Sequence, residues 1–169
     1  MSKRGFTLVE LVIVVGIIAV LASLVIVNLS PPRSKSRDQK RKADLLAIQG
    51  ALELYFATNR SFPSTGGTWS GEPPVFGGKG YSGPDGYVPN LAPNFITVLP
   101  SDPTRRASSA AGGCTDNHAG YLYQSDGKDY KVIANCTPEI AISDRDPFYD
   151  PTFSYQVFAV YSAGGKNFR

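Results

Sequence analysis

The sequence is poor in the side chains on which most catalytic and metal sites depend. It contains one histidine, His118, and two cysteines, Cys114 and Cys136, among 169 residues. The cysteines show no metal-ligand spacing, and no nucleophile–base motif is present. The sequence names no catalytic constellation, so we expect a protein that is not an enzyme and that carries no cofactor.

Charge is almost absent from residues 6–29, an almost wholly apolar segment whose only ionisable side chain is Glu10. As a helix rising about 1.5 Å per residue, this segment would span roughly 36 Å, more than the ~30 Å hydrocarbon core of a bilayer. Lys3 and Arg4 precede it and should hold that end in the cytoplasm. We therefore predict a single-pass helix in the inner membrane, with the head outside the cytoplasm.

An ionisable residue inside a membrane is costly and by default marks a functional site. A lone carboxylate there needs a cation or a proton. If the chain is cut after Gly5, Phe6 gains a charged amine about one helical turn from Glu10, and steric reach favours pairing between staggered chains. Because such a pair can fix register, Glu10 is predicted to align subunits of a helical assembly. Close helix approach is allowed by small residues: Gly16, Ala19, Ala22 and Ser23.

Residues 3–10, Lys-Arg-Gly-Phe-Thr-Leu-Val-Glu, resemble the processing site of type IV pilins and type II secretion pseudopilins. In that family a membrane-embedded prepilin peptidase cuts after the glycine and methylates the new N-terminal phenylalanine. The resemblance implies cleavage between Gly5 and Phe6, N-methylation of Phe6, and pairing of Glu10 with the amine of a neighbouring subunit. Residues 99–103, Leu-Pro-Ser-Asp-Pro, and residues 157–167 also resemble the major pseudopilins. The alternative is a plain signal anchor that carries one glutamate.

Basic residues are concentrated in a neck, residues 33–42, which holds six basic residues and one acidic residue. Residues 43–169 hold nine basic and twelve acidic residues, so the head is mildly acidic. The neck could contact anionic lipid headgroups or phosphate, or it could be a solvated helix face.

Residues 30–60 are predicted to form an amphipathic helix that continues into the head, with Ser30 as a cap before two prolines. Its apolar face comprises Leu45, Ile48, Leu52 and Tyr55, widened by Ala47, Ala51 and Leu54. The pattern favours packing on a sheet over a coiled coil, because fewer than three clean heptads are present.

The head, residues 61–169, begins with a variable loop over residues 65–86 that holds eight glycines. Two strand-like runs flank Asp126-Gly127, a strong hairpin signal. A two-residue turn there places Tyr123 opposite Tyr130, and the extended register brings Cys136 beside Asn117 and close to Cys114. We therefore predict a Cys114–Cys136 disulfide in the oxidising extracytoplasmic space. A last strand is predicted over residues 153–162.

An acidic loop carries Asp144, Asp146 and Asp150, which either bind calcium or form a solvated acidic surface. In the major pseudopilins, an Asp after the last strand, within Gly-Ala-Asp-Gly, helps to bind calcium. This chain has Gly164-Gly165-Lys166 at that place. The family's calcium site is therefore not carried over.

These observations predict an α+β, pilin-like fold: a long N-terminal helix, membrane-spanning in its first half, packed on a small antiparallel sheet. Residues 1–5 are the predicted leader and residues 6–29 the assembly helix. The expected function is a structural subunit of a type II secretion pseudopilus or a type IV pilus-like filament. Expected partners are copies of itself, other pilin-like subunits, the prepilin peptidase and the inner-membrane assembly platform, whereas nucleic acid is not expected. The alternative is a minor pilin with a role in DNA uptake or surface adhesion.

Overall fold

The structure is a computed structural model that describes residues 7–26, 30–75, 77–108, 114–153 and 155–169. The predicted cleavage site at Gly5 and Phe6 lies outside the described residues, as do the side chains of Ala22 and Ser23. The chain divides into two compact units, Met1–Ser36 and Arg37–Arg169.

The first unit contains helix α1, Leu8–Ile26. From Leu8 to Leu21, its large apolar side chains are all exposed. In the part of the chain that is described, no helix is both long enough and apolar enough to pass through a membrane. The predicted span of residues 6–29 includes Phe6 and residues 27–29, which are not described.

Helix α2 covers Ser30–Asn59; the predicted amphipathic helix comprised residues 30–60. Pro31 and Pro32 fall in its first turn, where a missing backbone N–H costs no helical hydrogen bond. The helix ends where Arg60 adopts a left-handed conformation with φ of 58°.

The apolar face of α2 is narrower than predicted. Leu45, Ile48 and Leu52 are fully buried, whereas Ala47 and Leu54 are exposed. The prediction for Ala47 and Leu54 is wrong because each lies two positions, or about 200°, beyond a buried leucine. Only one stripe of a helix can contact a sheet.

The second unit is built on a four-stranded antiparallel sheet in the order β1-β2-β3-β4. Its strands are β1 Ser70–Gly71, β2 Gly120–Ser125, β3 Tyr130–Asn135 and β4 Phe158–Tyr161. Tyr121, Tyr123 and Val132 belong to the same buried cluster as the apolar stripe of α2. Leu122 and Ile133 point to the opposite face, where Trp69 and Phe153 pack. A helix on a small antiparallel sheet confirms the predicted α+β class.

The β2–β3 hairpin forms where predicted, but its predicted register is wrong by two residues. Ser125 pairs with Tyr130, and Tyr123 faces Val132 rather than Tyr130. The connection has four residues because the Asp126 carboxylate accepts hydrogen bonds from the N–H groups of Lys128, at 2.8 Å, and Asp129, at 2.9 Å. Such an Asx turn replaces the two-residue turn. A slip of two residues leaves each side chain on its predicted face.

Two other boundaries differ from prediction. The last strand covers only Phe158–Tyr161 rather than residues 153–162, because Phe153 turns to pack against Trp69 with 6.3 Å between ring centroids. The segment predicted as loop, residues 65–86, contains β1. Gly71 is needed there because a Cβ atom would lie 2.5 Å from the carbonyl oxygen of Val75.

Candidate assembly site

The first turn of α1 is closed by a reciprocal pair of hydrogen bonds between Thr7 and Glu10. The Thr7 backbone N–H donates to Glu10 Oε2 at 2.9 Å, and the Glu10 N–H donates to Thr7 Oγ1 at 3.3 Å. The Thr7 hydroxyl also donates to Glu10 Oε2 at 2.7 Å. This is a capping box, which satisfies two backbone donors that a helix start leaves unpaired.

Thr7 is a residue whose role was not predicted from the sequence. The signal was present, because Thr7-Leu8-Val9-Glu10 has the T-x-x-E spacing of a capping box. The box orients the Glu10 carboxylate toward the positive end of the helix dipole. Since a carboxylate has about four lone-pair sites, these bonds leave it capacity to accept from a further cation.

A shallow depression lies on the apolar surface of α1. Its lining consists of Ile13, Gly16, Ile17, Val20 and Leu21. A side chain at Gly16 would meet no atom within 4 Å, so the glycine is not required by packing inside the chain. Because glycine has no side chain, the backbone of α1 is accessible at this position, and another helix can approach it closely.

The basic neck was predicted either to contact lipid headgroups or phosphate or to be a solvated helix face. Arg41 does neither, because it is fully buried. Its Nε donates to Asp102 Oδ2 at 2.7 Å and its Nη2 to Asp102 Oδ1 at 3.1 Å. Its Nη1 donates to Asp38 at 2.6 Å.

Two other cations of the neck also pair with the head. Arg37 donates to Glu139 at 2.7 Å, and Lys42 forms an ion pair with Asp146. These cations hold the helix to the acidic head, while Arg33 and Lys35 are exposed.

Arg41 fixes the Leu-Pro-Ser-Asp-Pro turn through Asp102. Burial alone would raise the pKa of Asp102, but hydrogen bonds from the Arg41 guanidinium bring that pKa below its usual range. The Asp102 N–H donates to Glu72 Oε1 at 3.0 Å, and the Tyr121 N–H donates to the same oxygen at 2.9 Å. Burial raises the pKa of Glu72. The network thus joins α2, the turn and β2.

The cysteines form the predicted disulfide, with 5.7 Å between the Cα atoms of Cys114 and Cys136. Because Gly120 pairs with Asn135, the register places Cys136 beside Ala119 and not beside Asn117. The side-chain amide of Asn135 donates to the His118 carbonyl at 2.7 Å, which holds the same end of the hairpin. The bridge therefore closes the open end of the hairpin.

The three carboxylates of the acidic loop have separate partners. Asp144 accepts from Ser143 at 3.3 Å, Asp146 pairs with Lys42, and Asp150 pairs with Lys131 at 2.9 Å. Among the described residues, no group of three or more His, Cys, Asp or Glu side chains is placed to hold a metal ion.

Comparison with known proteins finds one matching family model and several relatives. The family described as the prokaryotic N-terminal methylation motif matches residues 1–26. The chain is 46% identical over 63 residues to type II secretion system core protein G of Klebsiella pneumoniae. It is 44% identical over 64 residues to the protein of that name from Escherichia coli K12, and 41% identical over 64 residues to that of Vibrio cholerae.

The similarity is local. The matched residues make up 37–38% of this chain and 44–45% of those three relatives, which is less than half of the relatives' length. No solved structure matches the chain. The resemblance predicted from residues 3–10 is confirmed by the methylation motif and by these relatives.

Proposed function

We propose that this chain is a structural subunit of a type II secretion pseudopilus, starting from its N-terminal methylation motif and its similarity to type II secretion system core protein G. The observation that carries the proposal is the match of residues 1–26 to that motif. Cleavage after Gly5 and N-methylation of Phe6 are part of the proposal.

The geometry of α1 supports assembly through this helix. A helix whose large apolar side chains are exposed from Leu8 to Leu21 needs other apolar surface around it, either lipid or neighbouring helices. Glu10 is the one carboxylate on that surface, and Thr7 orients it toward the helix start. A methylated Phe6 amine of an adjacent subunit supplies the opposite charge.

In this proposal the subunit first sits in the inner membrane by its N-terminal region, with the head outside the cytoplasm. The prepilin peptidase processes it, and an assembly platform adds it to a filament of identical and related subunits. The disulfide between Cys114 and Cys136 fits an oxidising compartment. The internal pairing of Arg37, Arg41 and Lys42 removes much of the basic surface that a DNA-binding minor pilin would use.

The test is the mass of the N-terminal peptide from protein expressed with a cognate prepilin peptidase. The proposal expects a chain that begins with N-methyl-Phe6. Gly5→Val should leave full-length precursor, because a larger side chain crowds the peptidase, whereas Gly16→Ala is the matched control and should be processed normally. A mature chain that begins elsewhere, or an unmethylated Phe6, would contradict the proposal.

A further inference from the structure

Lys131 is the second residue of β3, and its side chain is fully buried. Because it lies two positions before Ile133, it points to the face of the sheet opposite α2. Four oxygen atoms surround its ammonium group. Nζ lies 2.9 Å from Asp150 Oδ2 and 3.1 Å from Thr152 Oγ1. It also lies 2.6 Å from the carbonyl oxygen of Lys166 and 2.7 Å from that of Phe168. We refer to these four oxygens as the oxygen cage.

The composition of the oxygen cage is that of a hard-cation site. One carboxylate, one hydroxyl and two backbone carbonyls are the ligand types that Ca²⁺ takes in proteins. The cage is also rigid, because Asp150 Oδ1 accepts hydrogen bonds from the Thr152 N–H at 2.9 Å and from its hydroxyl at 2.6 Å. The ring centroids of Phe153 and Tyr161 lie 5.4 and 5.6 Å from Nζ, which adds cation–π attraction.

A metal ion does not fit while Lys131 is in place. Ligand oxygens approach Ca²⁺ at 2.3–2.6 Å, and the four oxygens of the cage converge instead on Nζ at distances typical of N–H···O bonds. A second cation between them would collide with the ammonium and be repelled by it. A calcium ion of the kind found in the major pseudopilins is thus incompatible with this centre.

We propose that Lys131 is a built-in cation that takes the place of a bound metal ion, and that it fastens residues 164–169 to the sheet. The ammonium links β3 to the loop before β4 through Asp150 and to the last turn through the carbonyls of Lys166 and Phe168. The close packing of that turn supports this role, because a Cβ atom at Gly165 would lie 1.9 Å from the Tyr130 carbonyl oxygen. Stability of the head is therefore independent of calcium.

The experiment measures the thermal midpoint of the full chain in detergent micelles, in EDTA and in 10 mM CaCl₂ or MgCl₂. The native chain should melt within about 1 °C of the same temperature in all three. Lys131→Met keeps the length of the side chain but leaves Asp150 buried without a cation, and should lower the midpoint by roughly 10 °C in every buffer. Lys128→Met, an exposed lysine in the adjacent turn, is the matched control and should melt like the native chain.

Lys131→Ser removes the ammonium and leaves the oxygen cage open. It should melt as low as Lys131→Met in EDTA and regain several degrees in CaCl₂, while Lys131→Met regains none. A calcium-dependent rise in the native midpoint would overturn the proposal, because a metal would then bind despite Lys131. A Lys131→Met variant as stable as the native chain, or a Lys131→Ser variant that calcium does not stabilise, would overturn it as well.

Discussion

Glu10 is the residue on which assembly is proposed to depend. Replacing it by valine makes the segment more apolar, so insertion should survive, and Glu10 lies five residues from the proposed cleavage bond, so processing should survive as well. Assembly should fail, because the Phe6 amine of each neighbour would lack an opposite charge. The measurement is filament yield from correctly processed Glu10→Val expressed as the sole copy.

Glu10→Asp is the matched comparison for that experiment. It keeps the charge but shortens the reach, and it removes the T-x-x-E capping box that Thr7 completes. An intermediate yield is expected. Abundant filaments of normal register from Glu10→Val would show that apolar packing of α1 alone sets the assembly.

Arg41 is predicted to contribute more to stability than any other cation of the neck. Arg41→Met leaves Asp38 and Asp102 buried without their cation, which costs about 3–5 kcal/mol in typical cases. Lys40→Met removes a half-exposed pair with Asp44 and should change the free energy of unfolding by less than about 1 kcal/mol. Urea unfolding of the two variants measures the difference. Equal stabilities would mean that the buried pair does not hold the helix to the head.

At the scale of elements, the sequence was informative wherever a short local pattern decides the structure. The 3.6-residue period located the buried stripe of α2, and Asp126-Gly127 located the hairpin. The hairpin register was missed because one carboxylate, Asp126, closes a four-residue turn that the dipeptide alone does not reveal. The shortened β4 was missed because apolar residues before it pack on Trp69 from a distant loop.

The disulfide at the open end of the hairpin should stabilise the head. With a sequence separation of 22 between Cys114 and Cys136, the loop-entropy relation gives about 3 kcal/mol of stabilisation. Cys114→Ser should lower the free energy of unfolding by up to that amount, and the double variant Cys114→Ser/Cys136→Ser should equal the single one. Denaturant unfolding checks both, and thiol titration of the native protein provides the control. Two free thiols in the native protein would contradict the bridge.

At the scale of the whole molecule, the interactions that the sequence did not predict are those between charged residues far apart in the chain. Arg41 is the instructive case, because it lies four residues before Leu45 and so falls on the buried stripe of α2. Its position could be anticipated from the helical period, but its partner Asp102, 61 residues away, could not. The same holds for Lys131, whose oxygens come from residues up to 37 positions distant.

The buried tyrosines of the head predict how the stability of the whole molecule depends on pH. Tyr87, Tyr121, Tyr123 and Tyr130 are all fully buried. Burial is the main cause that raises the pKa of each above its ordinary value. Nearby carboxylates raise the pKa of all four as well. Two of the tyrosines donate directly to one, Tyr121 to Asp44 at 2.8 Å and Tyr130 to Glu53 at 3.1 Å.

The sign follows from linkage. Above about pH 10 the unfolded chain loses tyrosine protons that the folded chain keeps, so the folded state binds more protons and stability falls as pH rises. Each such tyrosine removes up to about 1.4 kcal/mol per pH unit. Burial lowers the pKa of Lys131, which acts in the opposite direction. This effect ends near the ordinary lysine pKa of about 10.4, so it does not cancel the tyrosine effect at higher pH. The urea midpoint should therefore hold from pH 7 to pH 9 and drop steeply between pH 10 and 11.

The Tyr123→Phe variant distinguishes ionisation of the buried tyrosines from the general charge repulsion that increases at alkaline pH. The Tyr123 hydroxyl donates to the Pro63 carbonyl at 2.7 Å, so the variant should be less stable at pH 8 by about 1 kcal/mol. It should also lose stability less steeply above pH 10, because one titrating group is gone, and the two urea-midpoint curves should converge. Parallel curves, or a native chain whose midpoint stays constant up to pH 11, would show that ionisation of the buried tyrosines does not limit the alkaline stability of the head.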